Sequence, residues 1–107
     1  MINVITADFS SWNTFTTEKC YMYDKGQILQ ITGLNLPEYF EVHFSNVENG
    51  VAKKAIGHNN FVNIYDEYFE TGKPIYCYIM LSQGNSDKKT VYKVTIPIIK
   101  RSRPVDE

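Results

Sequence analysis

The stretch Phe40-Glu41-Val42-His43-Phe44-Ser45 alternates strictly between apolar and polar side chains. Because side chains in extended backbone point alternately to opposite faces, we expect the three apolar residues to face a core and the three polar ones to face water. Asn49-Gly50 comes shortly afterwards and is typical of hairpin turns, and residues 51–56 return as a second strand. The pattern predicts an antiparallel hairpin near the middle of the chain.

Further strands are predicted on both sides of this hairpin, in short runs rich in Tyr, Phe, Ile, Val and Thr. Residues 20–23 and 27–31 flank the turn Asp24-Lys25-Gly26 and predict a second hairpin, with the glycine at a positive φ. Residues 75–81 are apolar on both faces and predict a central strand. Residues 90–96 alternate again and predict an exposed edge strand.

One short helical turn is predicted at residues 66–72, because two acids at its start and a glycine at its end suit a brief helix. Around it lie about seven or eight short strands at intervals of roughly 8–15 residues. This spacing predicts an all-β fold, an antiparallel β-sandwich of the immunoglobulin-like or jelly-roll-like kind.

Composition and charge narrow the class of protein. The chain has 107 residues, of which 43% are hydrophobic and 21% charged, with a net charge of −1. That usage is typical of one globular domain, whereas domains that wrap nucleic acid are usually strongly basic. No apolar run approaches the roughly 20 residues that span a bilayer, and residues 1–8 do not resemble a secretory signal. We therefore expect neither a nucleic-acid nor a membrane partner.

The predicted strand pattern stops before the end of the chain. Residues 100–107 are polar, charged and interrupted by a proline, which is typical of a linker. The predicted organisation is a β-sandwich domain over residues 1–99 and a linker over residues 100–107. A linker in this position suggests that more protein can follow it.

The sequence contains no pattern typical of catalysis or metal binding. His43 lies on the polar face of a predicted strand and His58 in a turn, without a nucleophile or further ligands at a useful spacing. Asp66, Glu67 and Glu70 share one short turn, whereas a glycosidase pair acts across a cleft from separate elements. We expect no enzyme activity, no metal and no cofactor.

The two cysteines, Cys20 and Cys77, are distant in sequence and belong to no Cys-x-x-Cys motif. They are predicted to be reduced core residues, since a free cysteine behaves as a small buried hydrophobe. A disulfide between two sheets stays open as an alternative, because its geometry cannot be inferred from sequence.

Aromatic residues offer the best candidates for an interaction surface, with eight Tyr, six Phe and one Trp. Most are expected to pack the core and the strand faces of a small domain. Tyr76 and Tyr78 share one face of a strand and are the best candidates for a protein interface or a sugar-stacking surface. Trp12 is a further candidate, although it can instead close one end of the sandwich. Tyr92 is the fourth candidate interface residue, because it belongs to the predicted edge strand, and an edge strand can pair with a strand of a partner.

Five segments resemble a family of small proteins and N-terminal domains from tailed phages and prophages of Gram-positive gut bacteria. They are WNTFTTEKCY at 12–21, DKGQ at 24–27, LNLP at 34–37, EVHFSN at 41–46 and VTIP at 94–97. Members of that family resemble a fibre or baseplate attachment domain, in which a β-sandwich is followed by a charged linker and, in longer members, by a fibrous region.

The resemblance implies a non-enzymatic structural component of the virion that anchors a fibre or baseplate component to the particle. Its implied partners are other virion proteins, with trimerisation through a region downstream of the linker. The alternative from the residues alone is a carbohydrate-binding module that recognises a glycan of the host surface through Trp12, Tyr76 or Tyr78. An immunoglobulin-like spacer of a bacterial surface protein is a weaker alternative.

Overall fold

The computed structural model describes residues 4–10, 13–48, 50, 52–82 and 89–101. The described chain forms strands and one 3₁₀ turn. The elements are β1 (Val4–Asp8), β2 (Thr14–Thr16), β3 (Cys20–Tyr21), β4 (Ile28–Thr32), β5 (Tyr39–Ser45), β6 (Lys53–His58), β7 (Phe61–Asn63), the 3₁₀ turn (Asp66–Glu70), β8 (Ile75–Ser82), β9 (Lys89–Ile96) and β10 (Ile98–Ile99).

Eight of these strands form one sheet in the order β1-β4-β7-β6-β5-β8-β9-β2. The inner pairs are antiparallel, whereas β1 pairs with β4 and β2 with β9 in parallel. The two end strands, β1 and β2, approach each other, so the sheet curls towards a barrel. A second, two-stranded sheet joins β3 and β10 in parallel.

The prediction of an all-β fold with one short helical turn is confirmed. In detail, the sheet is mixed and barrel-like instead of a sandwich of two antiparallel sheets. The difference arises because β1 and β2 are close in sequence but lie at opposite ends of the sheet, where each pairs with a parallel neighbour. Alternation of apolar side chains reports which face of a strand is buried, and it carries no information about neighbouring strands.

The central hairpin is confirmed, with β5 and β6 antiparallel from Tyr39 opposite His58 to Phe44 opposite Lys53. The predicted hairpin of residues 20–23 and 27–31 is wrong, because β3 pairs with β10 while β4 lies between β1 and β7. Gly26 has a φ of 65° as predicted, but the hydrogen-bonded turn lies earlier, where the Asp24 amide donates to the Tyr21 carbonyl at 3.2 Å.

The core lies on the concave face of the curved sheet. Val42 and Phe44 of β5 pack there with Cys77 and Ile79 of β8, all without solvent exposure. Phe40 also points inward, and its ring covers Gly57 on the neighbouring strand. Burial of these side chains is the main favourable term in folding, at about 25 cal/mol per Å² of apolar area.

The 3₁₀ turn closes one end of this core. Its Phe69 is fully buried, and the Tyr68 hydroxyl donates a hydrogen bond of 3.0 Å to the Phe44 carbonyl. The Asn46 amide donates to the Tyr68 carbonyl at 3.2 Å. A short segment without intrinsic helical stability is thus held by tertiary contacts.

Arg101, within the predicted linker, contacts the domain. The Arg101 guanidinium donates to the Met22 carbonyl and lies 3.8 Å from an Asp24 carboxylate oxygen. Residues 102–107, the remainder of the predicted linker, lie outside the described part of the chain. Within the described ranges, no helix has the length and apolar character needed to cross a membrane.

Candidate docking site

Two of the predicted interface residues, Tyr76 and Tyr78, lie together on the outer face of the sheet and are half-buried. Tyr78 is level with His43 on one side and Lys93 on the other. The Lys93 ammonium lies 5.2 Å from the centre of the Tyr76 ring and pairs with the Glu48 carboxylate. The Lys93 side chain therefore partly covers the Tyr76 ring.

Tyr92 lies on the opposite face of the sheet from Tyr76 and Tyr78. Its ring packs edge-on against Phe9, with the ring centres 5.3 Å apart, and belongs to the margin of the core. The prediction that residues 90–96 form an exposed edge is wrong, because β9 pairs with β8 along its length and with β2 at Lys93–Thr95. Trp12, the fourth candidate, lies outside the described residues.

The edges of the sheet are β1 and β2, and β1 has a ladder only to β4 among the described strands. The Phe9 amide donates to the Thr32 carbonyl at 2.9 Å, so the backbone of Phe9 points towards β4. Backbone polar groups alternate in direction along a strand. The amides and carbonyls of Val4, Thr6 and Asp8 therefore point away from β4.

The same reasoning applies to β2. The Thr17 amide donates to the Thr95 carbonyl at 3.0 Å, and the Asn13 carbonyl accepts from the Lys93 amide at 3.0 Å. Odd-numbered residues of this segment thus direct their backbone groups to β9, and Thr16 directs its own away from β9.

A cleft of about 660 Å³ lies along this seam between β1 and β2. Its lining includes Val4 and Thr6 from β1 and Thr16 from β2, together with the apolar side chains of Ile5 and Phe15. A cleft of this size is within the usual range of binding sites, which is about 300–1,000 Å³. Strand edges with free polar groups are also the sites where another strand can add.

Charged residues in the lining give the cleft a negative balance, with Asp8, Glu18 and Asp24 against Lys19. The Ser10 hydroxyl and amide donate to the Asp8 carboxylate at 2.9 and 3.1 Å. These hydrogen bonds lower the pKa of Asp8, which stays ionised at neutral pH. The Asp24 carboxylate accepts from the Tyr21 amide at 3.0 Å.

The thiols do not offer reactive chemistry. Both cysteines are buried and unpaired, which confirms the prediction of reduced core residues. Burial raises the pKa of Cys20, at the floor of the cleft, to about 11 and also raises the pKa of Cys77. Since the thiolate is the nucleophile, both groups are weakly reactive at neutral pH. In the described ranges, no group of three or more His, Cys, Asp or Glu could hold a metal ion.

A charged cluster lies on the outer face, where one Glu41 oxygen is 3.1 Å from the Lys54 ammonium and the other is 3.2 Å from His43 Nε2. The contact with Lys54, assisted by His43, lowers the pKa of Glu41. His43 Nε2 makes no well-aligned hydrogen bond, although it is shielded from solvent. The cluster is a half-buried polar group on a strand face, in which the Lys54 side chain is the exposed member.

Sequence reasoning missed an exposed aromatic pair on the same outer face. Tyr39, with 61% of its surface exposed, stacks on His58 with the ring centres 4.6 Å apart. His58 Nε2 also lies 3.4 Å from a Glu38 carboxylate oxygen. The alternation of residues 40–45 extends to Tyr39 and could have placed it on the outer face, but its partner depends on the register of β5 and β6.

Comparison with known proteins adds no family assignment: neither a protein-family model nor a curated protein sequence matches the chain.

Proposed function

We propose that the protein is a non-enzymatic structural component of a phage virion, and that it docks onto a neighbouring virion protein through the seam between β1 and β2. The resemblance of the sequence to phage attachment domains suggests the setting. The observation that supports docking is that two strand edges face each other across one cleft, with no further strand pairing on them among the described residues. A partner strand added there would satisfy backbone groups of one edge, and of both edges where they lie far enough apart.

A structural anchor must bind its partner without catalysing a reaction, and the thiols and the Glu41 carboxylate are consistent with that role. The two thiols have raised pKa values, and Glu41 is engaged with Lys54 and His43 on the outer face of the sheet. An anchor of this kind depends on shape and backbone hydrogen bonds instead of on reactive side chains. Its predicted location is the assembled particle.

The test is incorporation into particles from an induced culture that encodes the protein. The Thr6→Pro variant removes an amide that points into the cleft and leaves the ladder to β4 intact, since edge strands tolerate proline on the free side. We expect Thr6→Pro particles to lack the protein by peptide mass spectrometry, whereas Thr6→Val particles, in which the amide remains, contain it. Thr16→Pro repeats the test from the β2 side.

Incorporation of Thr6→Pro and Thr16→Pro at the wild-type level would refute docking at the seam. Circular dichroism of each purified variant establishes that loss of incorporation does not reflect loss of folding. Absence of the wild-type protein from complete particles would refute the virion role itself.

A second candidate function is glycan binding, and the exposed Tyr39 favours it. Beside this ring lies a shallow cleft of about 300 Å³ that is also lined by Asn35, Pro37 and Glu41. An aromatic face next to amide and carboxylate groups can receive the C–H face of a sugar and bond its hydroxyls. Tyr39 is more exposed than the half-buried Tyr76 and Tyr78.

Titration with solubilised cell-wall polysaccharide tests this second candidate. Saturable binding that is lost in Tyr39→Ala and retained in Tyr78→Ala would support a glycan site at Tyr39. Absence of binding by the wild-type chain at millimolar sugar would exclude it.

A further inference from the structure

The directions of the two edge strands limit what can enter the seam. At the two ends of the sheet, β1 is parallel to β4 and β2 is parallel to β9. Between β4 and β9, all five strand pairings are antiparallel. An odd number of reversals makes β1 and β2 antiparallel to each other. A strand placed between them must therefore be parallel to one edge and antiparallel to the other. Neighbouring strands lie about 4.8 Å apart, so bonding to both edges requires about 9.6 Å between them. Some Cα atoms of β1 and β2 lie within 8 Å of each other, so the occupant can bond to both edges only where the strands are farther apart.

The length of the edges sets the length of the occupant. The five residues of β1 span about 17 Å at roughly 3.3 Å per residue, while β2 contributes three residues. An occupant of about five to seven extended residues covers this distance. The outward-directed backbone groups of Thr6 and Thr16 are the groups that an extended strand would bond.

The side chains of such an occupant would meet two different environments. Those turned towards the core would meet Ile5 and Phe15, and those turned away would meet the charged lining. That lining has three carboxylates, from Asp8, Glu18 and Asp24, and one ammonium, from Lys19. Three negative charges against one positive charge leave a formal charge of −2 in the lining. Arg101, 3.8 Å from Asp24, offsets one of the three carboxylates. The remaining negative balance favours basic side chains on the occupant.

We propose that the occupant of the seam is an extended, basic segment of a partner polypeptide, with alternating apolar and Lys or Arg side chains, which inserts between β1 and β2 as a ninth strand. This inference rests on the proposed function, because it specifies the partner that docks at the same cleft. It adds the sign of the partner's charge, its extended conformation and its alternating pattern.

Two labelled heptapeptides with blocked ends test the proposal on the full chain by fluorescence anisotropy. One alternates Lys and Val, and the other alternates Glu and Val. We expect the basic peptide to bind at least tenfold more tightly than the acidic one at 50 mM salt, and to bind several-fold more weakly at 500 mM salt, where charge interactions are screened. Thr6→Pro should lose binding of the basic peptide.

Charge-neutral variants locate the binding. Glu18→Gln removes a charge from the cleft and should weaken binding of the basic peptide several-fold. Glu70→Gln, which removes the same charge from the exposed 3₁₀ turn, is the matched control and should bind as the wild type does. Equal affinity for the two peptides, or equal effects of Glu18→Gln and Glu70→Gln, would overturn the proposal.

The outcomes separate this inference from the proposed function. If Thr6→Pro abolishes incorporation into particles while neither peptide binds the wild-type chain, the basic strand is wrong and docking at the seam stands. Self-association of the wild-type chain that Thr6→Pro abolishes would assign the cleft to a second copy and overturn the proposal. Peptide selectivity together with normal incorporation of Thr6→Pro would support the strand site and refute its role in the virion.

Discussion

Gly57→Ala is predicted to destabilise the domain, although glycine is normally a poor strand residue. Gly57 on β6 lies opposite Phe40 on β5, and the Phe40 ring occupies the space that a side chain at position 57 would need. An added Cβ would lie under 3 Å from three carbons of that ring. Phe40 is only 5% exposed, so the ring can move only by displacing core neighbours.

Two effects set the magnitude. Overpacking of a well-filled core costs about 1–3 kcal/mol. Replacing glycine reduces the entropy of the unfolded chain and returns about 0.4–1 kcal/mol. The net prediction is a loss of about 1–2 kcal/mol in the free energy of unfolding, which corresponds to a decrease in Tm of roughly 5–15 °C for a domain of this size.

Urea denaturation and thermal melting of the two chains measure this difference. The control is the same substitution in a Phe40→Ala background, where the ring is gone and Gly57→Ala should cost little or stabilise slightly. A Gly57→Ala protein as stable as the wild type, or equal costs in both backgrounds, would refute the proposed ring–glycine contact.

The remaining predictions concern single side chains. Tyr92→Ala should lower the free energy of unfolding by about 2–4 kcal/mol in urea denaturation, because its ring packs at the core margin, and unchanged stability would contradict that placement. Tyr68→Phe should cost about 1 kcal/mol through loss of the hydrogen bond to the Phe44 carbonyl, measured in the same way. The lowered pKa of Glu41 stabilises the fold above the unfolded pKa of about 4.3, and this contribution is lost as the pH falls through the folded pKa. Stability measured against pH should therefore fall less steeply in acid for Glu41→Gln. Cys77 should resist alkylation at pH 8 until denaturant unfolds the chain, whereas rapid labelling of the native protein would contradict its burial.

The alternation at residues 40–45 correctly predicted that Phe40, Val42 and Phe44 are buried. It was wrong for Ser45, which was expected to face water but is 3% exposed, with its hydroxyl donating to the Val47 carbonyl at 2.9 Å. It did not predict the register of the hairpin. A two-residue turn at Asn49-Gly50 would place Phe40 opposite Asn59, whereas it lies opposite Gly57. A shift by two residues keeps every side chain on its face, so the hydrophobic pattern cannot detect it. The stack of Tyr39 on His58 depends on that register and was missed for this reason.

Pairing between strands that are distant in sequence could not be predicted from the hydrophobic pattern for a related reason. The positive φ of Gly26 was predicted correctly, yet the strand before it pairs with β10, about 80 residues away along the chain. Likewise, alternation at residues 90–96 matches an edge strand and an interior strand equally well. The position of β9 inside the sheet depends on β2, a strand of only three residues with little pattern of its own.

The most direct test of docking at the seam is the amount of Thr6→Pro protein in assembled particles relative to Thr6→Val, with both variants shown to be folded. The two variants differ in the amide that points into the cleft, while the ladder from β1 to β4 is retained in both. We predict that peptide mass spectrometry finds Thr6→Val at the wild-type level and no Thr6→Pro protein in the particles. Equal amounts of the two variants would contradict docking through the edges of β1 and β2.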